Sequence, residues 1–166
     1  MTRSVILDSG PLAKIAHPRP NRDIAEWYER ILRAGVRVVI AEIVDYEIRR
    51  NFILEGLTRS IDRLNRLETR LTYLPLNTAA MLRAAQLWAE ARRQGHPTAD
   101  PKELDADVIL AAQAEQAGAT VVTENPGHLS LFLDACTWQE TDFLPAARAV
   151  PKNFSRPGPA TSRTTR

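Results

Sequence analysis

The sequence predicts an α/β fold in which a parallel β-sheet is covered by helices on both faces. Short apolar runs rich in β-branched residues alternate along the chain with longer segments of helical periodicity, and this alternation is typical of β-α-β units. The helical segments are largely apolar, which suits a parallel sheet buried on both faces. With 166 residues and no internal repeat, the chain suits a single domain.

The strands are the shortest of these elements. Residues 3–7, 37–41 and 119–123 form apolar runs, and weaker extended stretches lie at 73–76 and 137–138. Apolar residues at helical spacing predict helices over residues 22–33, 42–54, 57–71, 78–94 and 104–117, and a turn of helix within 127–133. In the helix 78–94, the residues expected to face the core are Met81, Leu82, Ala85, Trp88 and Ala89.

The basic residues are unevenly distributed. The chain has 22 basic and 20 acidic residues and a net charge of +2, but residues 151–166 hold four basic side chains and no acid. Residues 1–150, the predicted domain, are therefore slightly acidic, which weakens the case for a general nucleic-acid binder. The Pro/Ser/Thr-rich segment 151–166 is too polar to fold alone, and we expect a flexible basic tail rather than an RNA-binding arm.

Several classes of protein are excluded by composition. A single cysteine, Cys136, excludes a disulfide framework and a cysteine-based zinc site, and the three histidines share no ligand spacing. No apolar run approaches the ~20 residues of a membrane span. The first apolar run ends at Asp8 and is too short for a signal peptide, so we expect a cytoplasmic protein with no membrane partner.

Polar residues follow the predicted strands at the sheet edge where parallel sheets bind their ligands. They are Asp8, then Glu42, Asp45 and Glu47 on one helix, Asp105 and Asp107 on another, and Glu124 and Asn125. Each has an ordinary structural alternative. Asp8 and Asp105 are suited to capping a helix, Glu42 and Asp107 to a first helical turn, and Asn125 to a turn. The indication of a site is their convergence on one edge.

Glu47 is the acid that helical geometry singles out. At ~100° per residue, Glu47 falls inside the apolar arc of its helix. Asp45 falls on the opposite face, where it can pair with Arg49 at i,i+4. A carboxylate on an apolar face has to be paired, metal-bound or protonated. Two explanations stay open for Glu47: a functional carboxylate, or a buried ion pair with an arginine such as Arg50.

The chemistry of such a pocket follows from its charge. Clustered carboxylates repel one another, so an acidic pocket needs a cation, and oxygen donors favour Mg²⁺ or Mn²⁺. Such ions activate water for phosphodiester hydrolysis. Phosphoryl transfer through Asp8 is disfavoured, because Gly10 stands where a second acid would be needed and no lysine follows a strand.

Four short blocks, in this order and spacing, resemble the PIN-domain nucleases. They are Val5–Ser9, Tyr46–Arg50, Asp107–Ala112, and Val122–Asn125 with His128 and Leu129 after it. The resemblance covers about residues 3–140. It implies a three-layer α/β/α sandwich with a central parallel sheet, ribonuclease activity, and an acidic pocket that binds Mg²⁺ or Mn²⁺.

The resemblance also implies roles by position. The acids that match the family's catalytic residues are Asp8, Glu47 and Asp107. The small hydroxyl residues that match those holding the pocket or the substrate are Ser9 and Thr123. The expected metal ligands are Asp8, Asp107, Asn125 and, as an extra carboxylate, Asp105.

Asn125 is the main departure from the family pattern. The family often has an aspartate there, and an asparagine keeps an oxygen ligand or a substrate contact but no charge. Lower metal affinity is therefore expected. The departure favours an alternative function, a catalytically weak or inactive PIN-like module that binds RNA or protein, and metal binding would discriminate between the two.

Partners are implied by the same resemblance. Many small relatives are VapC-type toxins, each neutralised by a separate antitoxin, so RNA, a cognate antitoxin and a second copy of the chain are the expected partners; a housekeeping nuclease fits equally well. The helix 57–71 carries Arg59 and Arg63 as candidate RNA contacts, followed by Arg66 and Arg70. A solvated face, an antitoxin contact or a dimer contact explains the same stripe.

Overall fold

The computed structural model describes residues 3–96, 99–100 and 104–141, and the backbone alone at His128. Within these residues five strands form one parallel sheet in the order β3-β2-β1-β4-β5. They are β1 (Ser4–Leu7), β2 (Arg37–Ala41), β3 (Thr72–Leu74), β4 (Thr120–Val122) and β5 (Ala135–Cys136). The predicted domain end at residue 150 and the tail 151–166 lie outside the described residues.

Helices cover this sheet. They are α1 (Ser9–Ala16), α2 (Arg22–Arg33), α3 (Glu42–Leu54), α4 (Thr58–Arg70), α5 (Thr78–Arg93), α6 (Ala106–Ala117) and α7 (Pro126–Leu129). Four begin at a side chain that accepts a hydrogen bond from a backbone N–H of the first turn, namely Asp8, Asn21, Asn77 and Asp105. The predicted α/β/α sandwich is confirmed. None of these described helices has both the length and the apolarity to cross a membrane.

The strand order reverses beside β1. Ile6 of β1 lies opposite Val39 of β2 on one side and Val121 of β4 on the other. The chain adds β2 and β3 on the first side and β4 and β5 on the second. In an open parallel sheet, ligands bind in the crevice outside the carboxyl ends of the strands at such a reversal. The residues that follow β1 and β4 there are Asp8 and Thr123.

The core extends to the last described residue. The sheet is buried on both faces, as a parallel sheet between helices requires. Trp27 of α2 is fully buried, and its indole N–H donates to the Thr141 hydroxyl. The ring centroid of Trp138 lies 6.2 Å from that of Trp27. Trp138 and Thr141, which follow β5, therefore belong to the core and pack on α2.

The last strand lies two residues before its predicted position. Ala135 and Cys136 pair with Val121 and Val122, so β5 is complete before residue 137. Thr137 instead begins a turn, because its backbone N–H donates to the Glu140 carboxylate at 2.9 Å and its carbonyl accepts from Glu140 N at 3.0 Å. The prediction of a strand at 137–138 was wrong because turn chemistry outweighed a weak apolar pattern.

Helix α5 presents a different face from the predicted one. The buried residues are Ala80, Ala84, Leu87 and Ala91, whereas Met81 and Leu82 are 42% and 63% exposed. Three alanines line this face and let α5 pack closely on α6, where Arg83 and Glu115 join the two helices at 2.7 and 2.9 Å. Side-chain size misled the prediction, since a close helix contact favours small residues over large apolar ones.

Two leucines of α5 test this orientation. Leu87→Ala is expected to lower the free energy of unfolding by about 2–5 kcal/mol, because a 1% exposed side chain leaves a cavity. Leu82→Ala, the matched control on the exposed face, is expected to change it by less than about 0.5 kcal/mol. Urea unfolding measures both. Equal losses would contradict the orientation.

Candidate active site

Asp8 lies between β1 and α1 and is held at both carboxylate oxygens. Its backbone N–H donates to the Val122 carbonyl at 2.9 Å, continuing the β1–β4 ladder by one residue. Oδ1 accepts from the backbone N–H of Ser9 at 2.7 Å, and Oδ2 accepts from the Thr123 hydroxyl at 2.7 Å. The Ser9 hydroxyl lies 3.4 Å from Oδ1. The carboxylate is therefore fixed in direction by two strands and a helix start.

Thr123 is an interior residue, 1% exposed, that connects β4 to Asp8. Its hydroxyl accepts from the backbone N–H of Asn125 at 3.1 Å and gives its one proton to Asp8. Because a hydroxyl has a single proton, the Asn125 N–H orients Thr123 toward the carboxylate. Asn125 itself is exposed at the sheet edge, beside the start of α7.

Glu47 is the half-buried acid of α3. Burial raises the pKa of Glu47 above its ordinary value, the charges of Asp8 and Asp107 raise this pKa further, and the Arg50 charge lowers it. The three acids therefore lie in one electrostatic neighbourhood, although Asp8 precedes α1 and the other two come from α3 and α6. Arg50 does not neutralise Glu47, and its guanidinium lies 5.3 Å from the centroid of the Tyr46 ring.

The two aspartates at the start of α6 have different positions. Asp105 is 6% exposed and caps the helix, accepting from Val108 N at 3.4 Å. Its use as a cap sets the helix to begin at residue 106, two residues after the predicted start. Asp107 lies in the first turn and is half-buried. The structure brings Asp107, but not Asp105, among the charges that shift the pKa of Glu47.

Helix α3 is held in place by polar contacts in its first turn. The Gln113 side chain is fully buried in α6, and its amide donates to the Leu74 carbonyl at 2.8 Å and accepts from Ile43 N at 3.4 Å. The Glu42 carboxylate accepts from Leu76 N. No side chain caps α3 at Ala41, so Gln113 satisfies one of its free N–H groups.

Asp45 occupies a buried position, not the solvent-facing one predicted for it. It is 8% exposed and accepts from Arg49, whose guanidinium also pairs with Glu68 of α4. The Tyr73 hydroxyl lies 3.4 Å from Asp45, and burial together with the Asp45 charge raises the pKa of Tyr73. The predicted i,i+4 pair is present. It is buried because α4 and β3 cover that face of α3.

The two arginines of α4 that were candidates for RNA contact have different surroundings. Arg59 is exposed. Arg63 donates to the Ile15 carbonyl at 3.2 Å, at the end of α1 opposite to Asp8. Arg63 also lines a groove of about 560 Å³ between α2 and α4. Neither arginine is among the charges that shift the pKa of Glu47.

Sequence reasoning missed Lys14. Its ammonium forms an ion pair with the carboxylate of Glu124, the exposed residue after Thr123. No local signal in the sequence could have found this pair, because the two residues are 110 positions apart.

The donor set fits a hard cation. Asp8, Glu47 and Asp107 offer carboxylate oxygens, and their mutual repulsion, expressed in the raised pKa of Glu47, is what a cation would relieve. Among the described residues, no three acidic, histidine or cysteine side chains stand close enough to form a ready-made metal cage. The fit to a cation therefore rests on the carboxylate oxygens that these three residues offer and on the electrostatic effect of their charges on one another.

The comparisons with known proteins agree with this fold. The PIN domain family model matches residues 5–131, and the chain belongs to the PIN domain family. No curated protein matches the chain.

Solved structures of similar fold come from several bacteria. VapBC from Salmonella typhimurium shares 23% identity, with a TM-score of 0.65 over 83% of this chain and 99% of that one. VapBC2 from Rickettsia felis, bound to a promoter DNA fragment, shares 17%, with a TM-score of 0.67 over 81% and 98%. Mycobacterium tuberculosis VapC20, described as a Sarcin-Ricin loop cleaving toxin, shares 14%, with a TM-score of 0.52 over 76% and 94%.

Glu47→Gln is expected to raise the free energy of unfolding at pH 7 in the presence of EDTA. The pKa of Glu47 is raised in the folded protein, so folding disfavours its ionised form. The gain is fully present above this raised pKa, shrinks as pH falls through it, and vanishes below the ordinary value of 4.5. Urea unfolding over a pH series measures it.

Glu55→Gln is the control for this measurement. Glu55 is exposed at the end of the same helix, and its substitution is expected to give no pH-dependent gain. Loss of stability in Glu47→Gln at pH 7 would show that the carboxylate is stabilised in place and would contradict the prediction.

Proposed function

We propose that this protein is a metal-dependent endoribonuclease that hydrolyses RNA phosphodiester bonds with a metal-activated water. The observation that carries the proposal is the Asp8 carboxylate, held by Ser9 and Thr123 within the same field as Glu47 and Asp107. Mg²⁺ or Mn²⁺ is the proposed cofactor, because these ions prefer oxygen ligands and keep waters for chemistry.

The chain's own residues would divide the work as follows. Asp8, Glu47 and Asp107 would hold the cation, and Asn125 would add a carbonyl oxygen or a substrate contact. When bound, the cation supplies a water of lowered pKa and stabilises the leaving oxygen. Thr123 and the Ser9 N–H keep the Asp8 carboxylate in a fixed direction. Binding of the cation would therefore require little reorganisation of the site. Asp105 caps α6 and supports the position of Asp107.

The family and the structural neighbours support the proposed class of substrate and the proposed partners. One structural neighbour is described as a toxin that cleaves the Sarcin-Ricin loop, and others are VapBC complexes. We therefore infer an RNA substrate, the role of a toxin, and neutralisation by a cognate antitoxin. A homodimer and a cytoplasmic location belong to the same proposal.

A second candidate function is a PIN-like module that binds RNA or protein with weak or no catalysis. The observation that favours it is Asn125, which lies at the sheet edge without a negative charge. Glu124 beside it is already paired with Lys14, so this neighbouring carboxylate does not supply the missing charge.

Asp8→Asn is expected to abolish cleavage of a labelled mixed RNA pool in Mn²⁺, because the substitution removes one of the three charges that would hold the cation. EDTA is expected to abolish cleavage by the unaltered protein. Asp23→Asn, an exposed aspartate in the first turn of α2, is the matched control and should cleave normally. Cleavage by a folded Asp8→Asn protein would contradict the proposed mechanism.

Asn125→Asp is expected to lower the Mn²⁺ concentration needed for half-maximal cleavage, because it adds a fourth charge at the sheet edge. A metal titration of cleavage compares the two proteins. If the unaltered protein binds RNA but cleaves only after this substitution, the binding-module alternative holds instead.

A further inference from the structure

The ion pair of Lys14 and Glu124 joins the two segments that carry Asp8 and its partner Thr123. Glu124 directly follows Thr123, and Lys14 lies on α1, the helix that Asp8 caps. Lys14 is the one lysine in the part of the chain that the structure describes. Among the described residues, Arg50 is the cation that shifts the pKa of Glu47, so Lys14 is a separate positive group at the same edge of the sheet.

Gly10 leaves room for Glu124 beside the first turn of α1. A Cβ at residue 10 would lie 3.0 Å from Glu124 Oε2 and 3.4 Å from its Cγ and Cδ. Gly10 has no positive φ, so the glycine provides space rather than an unusual backbone conformation. Its missing side chain lets the Glu124 carboxylate lie against the first turn of α1, two residues from Asp8.

Lys14 reaches this carboxylate from one turn further along α1. Side chains on a helix lean toward its N-terminus, so the Lys14 ammonium extends toward the end of α1 that carries Asp8. It contacts Glu124 Oε1, while Oε2 is the atom nearest to Gly10. The ammonium therefore stands at the rim of the acidic neighbourhood.

The pair is exposed enough to open. The side chains of Lys14 and Glu124 are 51% and 39% exposed. Exposed ion pairs contribute little to stability, because water screens them and ordering the side chains costs entropy. A polyanion that arrives at this rim meets a carboxylate that repels it and an ammonium that attracts it.

We propose that Lys14 is a substrate-positioning residue that exchanges Glu124 for a backbone phosphate of the RNA. This inference rests on the proposed function and names the contact at its rim. Lysine binds phosphate as a compact point charge. In the free protein Glu124 holds the Lys14 ammonium in place. When RNA arrives, Glu124 competes with the phosphate for this ammonium. Lys14 would therefore strengthen RNA binding and Glu124 would weaken it, with no effect of either on the chemical step.

Two measurements test this exchange. Fluorescence anisotropy of a labelled single-stranded RNA, with Ca²⁺ in place of Mn²⁺, gives the Kd without requiring cleavage. Steady-state cleavage in Mn²⁺ gives KM and kcat. K14Q is expected to raise Kd and KM about tenfold, the size of one charge-assisted hydrogen bond, with kcat within about twofold. K14R should stay close to the unaltered protein, and E124Q should lower both Kd and KM.

Salt dependence provides an independent readout. Loss of one phosphate contact to single-stranded nucleic acid is expected to reduce the slope of log K against log salt by about 0.7. K14Q should show this reduction. Arg37→Gln, which removes an exposed charge at the opposite edge of the sheet, is the matched control and should leave slope and Kd unchanged.

The outcomes separate this inference from the proposed function. If K14Q and E124Q weaken binding or cleavage to the same extent, the pair is a structural link and the inference is wrong. Unchanged Kd and KM in K14Q would overturn it as well, as would failure of the unaltered protein to bind RNA. Binding that follows the expected order without any cleavage in Mn²⁺ would overturn the nuclease function and support the Lys14 contact.

Discussion

The hydrogen bond from the Thr123 hydroxyl to Asp8 is the contact on which the rest of the site depends. It joins the residues that follow the two adjacent strands β1 and β4, and these strands flank the reversal of strand order. Because the hydroxyl is buried and oriented by the Asn125 N–H, it keeps the Asp8 carboxylate aimed along one direction. The other acids are brought to Asp8 by helices whose own positions depend on packing against the sheet.

Most of the fold could be predicted from the sequence because it follows from local patterns. The runs at β1, β2 and β4 are continuous and apolar, and the helices α2 and α3 were predicted at their observed ends. The exceptions share a cause. Met81 and Leu82 are large and apolar but exposed, since α5 meets α6 through alanines. Hydrophobic periodicity in a sequence does not show which small residues allow two helices to pack closely.

The sequence indicated an acid as a candidate site residue mainly where that acid follows a strand or begins a helix. Asp8 and Asp107 were predicted this way, and helical geometry singled out Glu47, which is half-buried in the structure. Asp45 could not be placed correctly, because the element that buries it, α4, follows later in the chain. The Lys14–Glu124 pair spans 110 residues, and a contact at such separation leaves no trace in local spacing.

Gln113 has a consequence for how this sequence can change over evolution. Its one amide serves the Leu74 carbonyl at the end of β3 and the Ile43 N–H at the start of α3, in a position with no access to water. Glutamate would lose the donor and leucine would lose both contacts, leaving buried polar backbone groups unpaired. A substitution at residue 113 therefore affects two segments that lie far apart in the sequence. The Gln113 amide therefore helps to position the end of β3 and the start of α3. Because α3 carries Glu47, a substitution at residue 113 would also affect where Glu47 lies relative to Asp8.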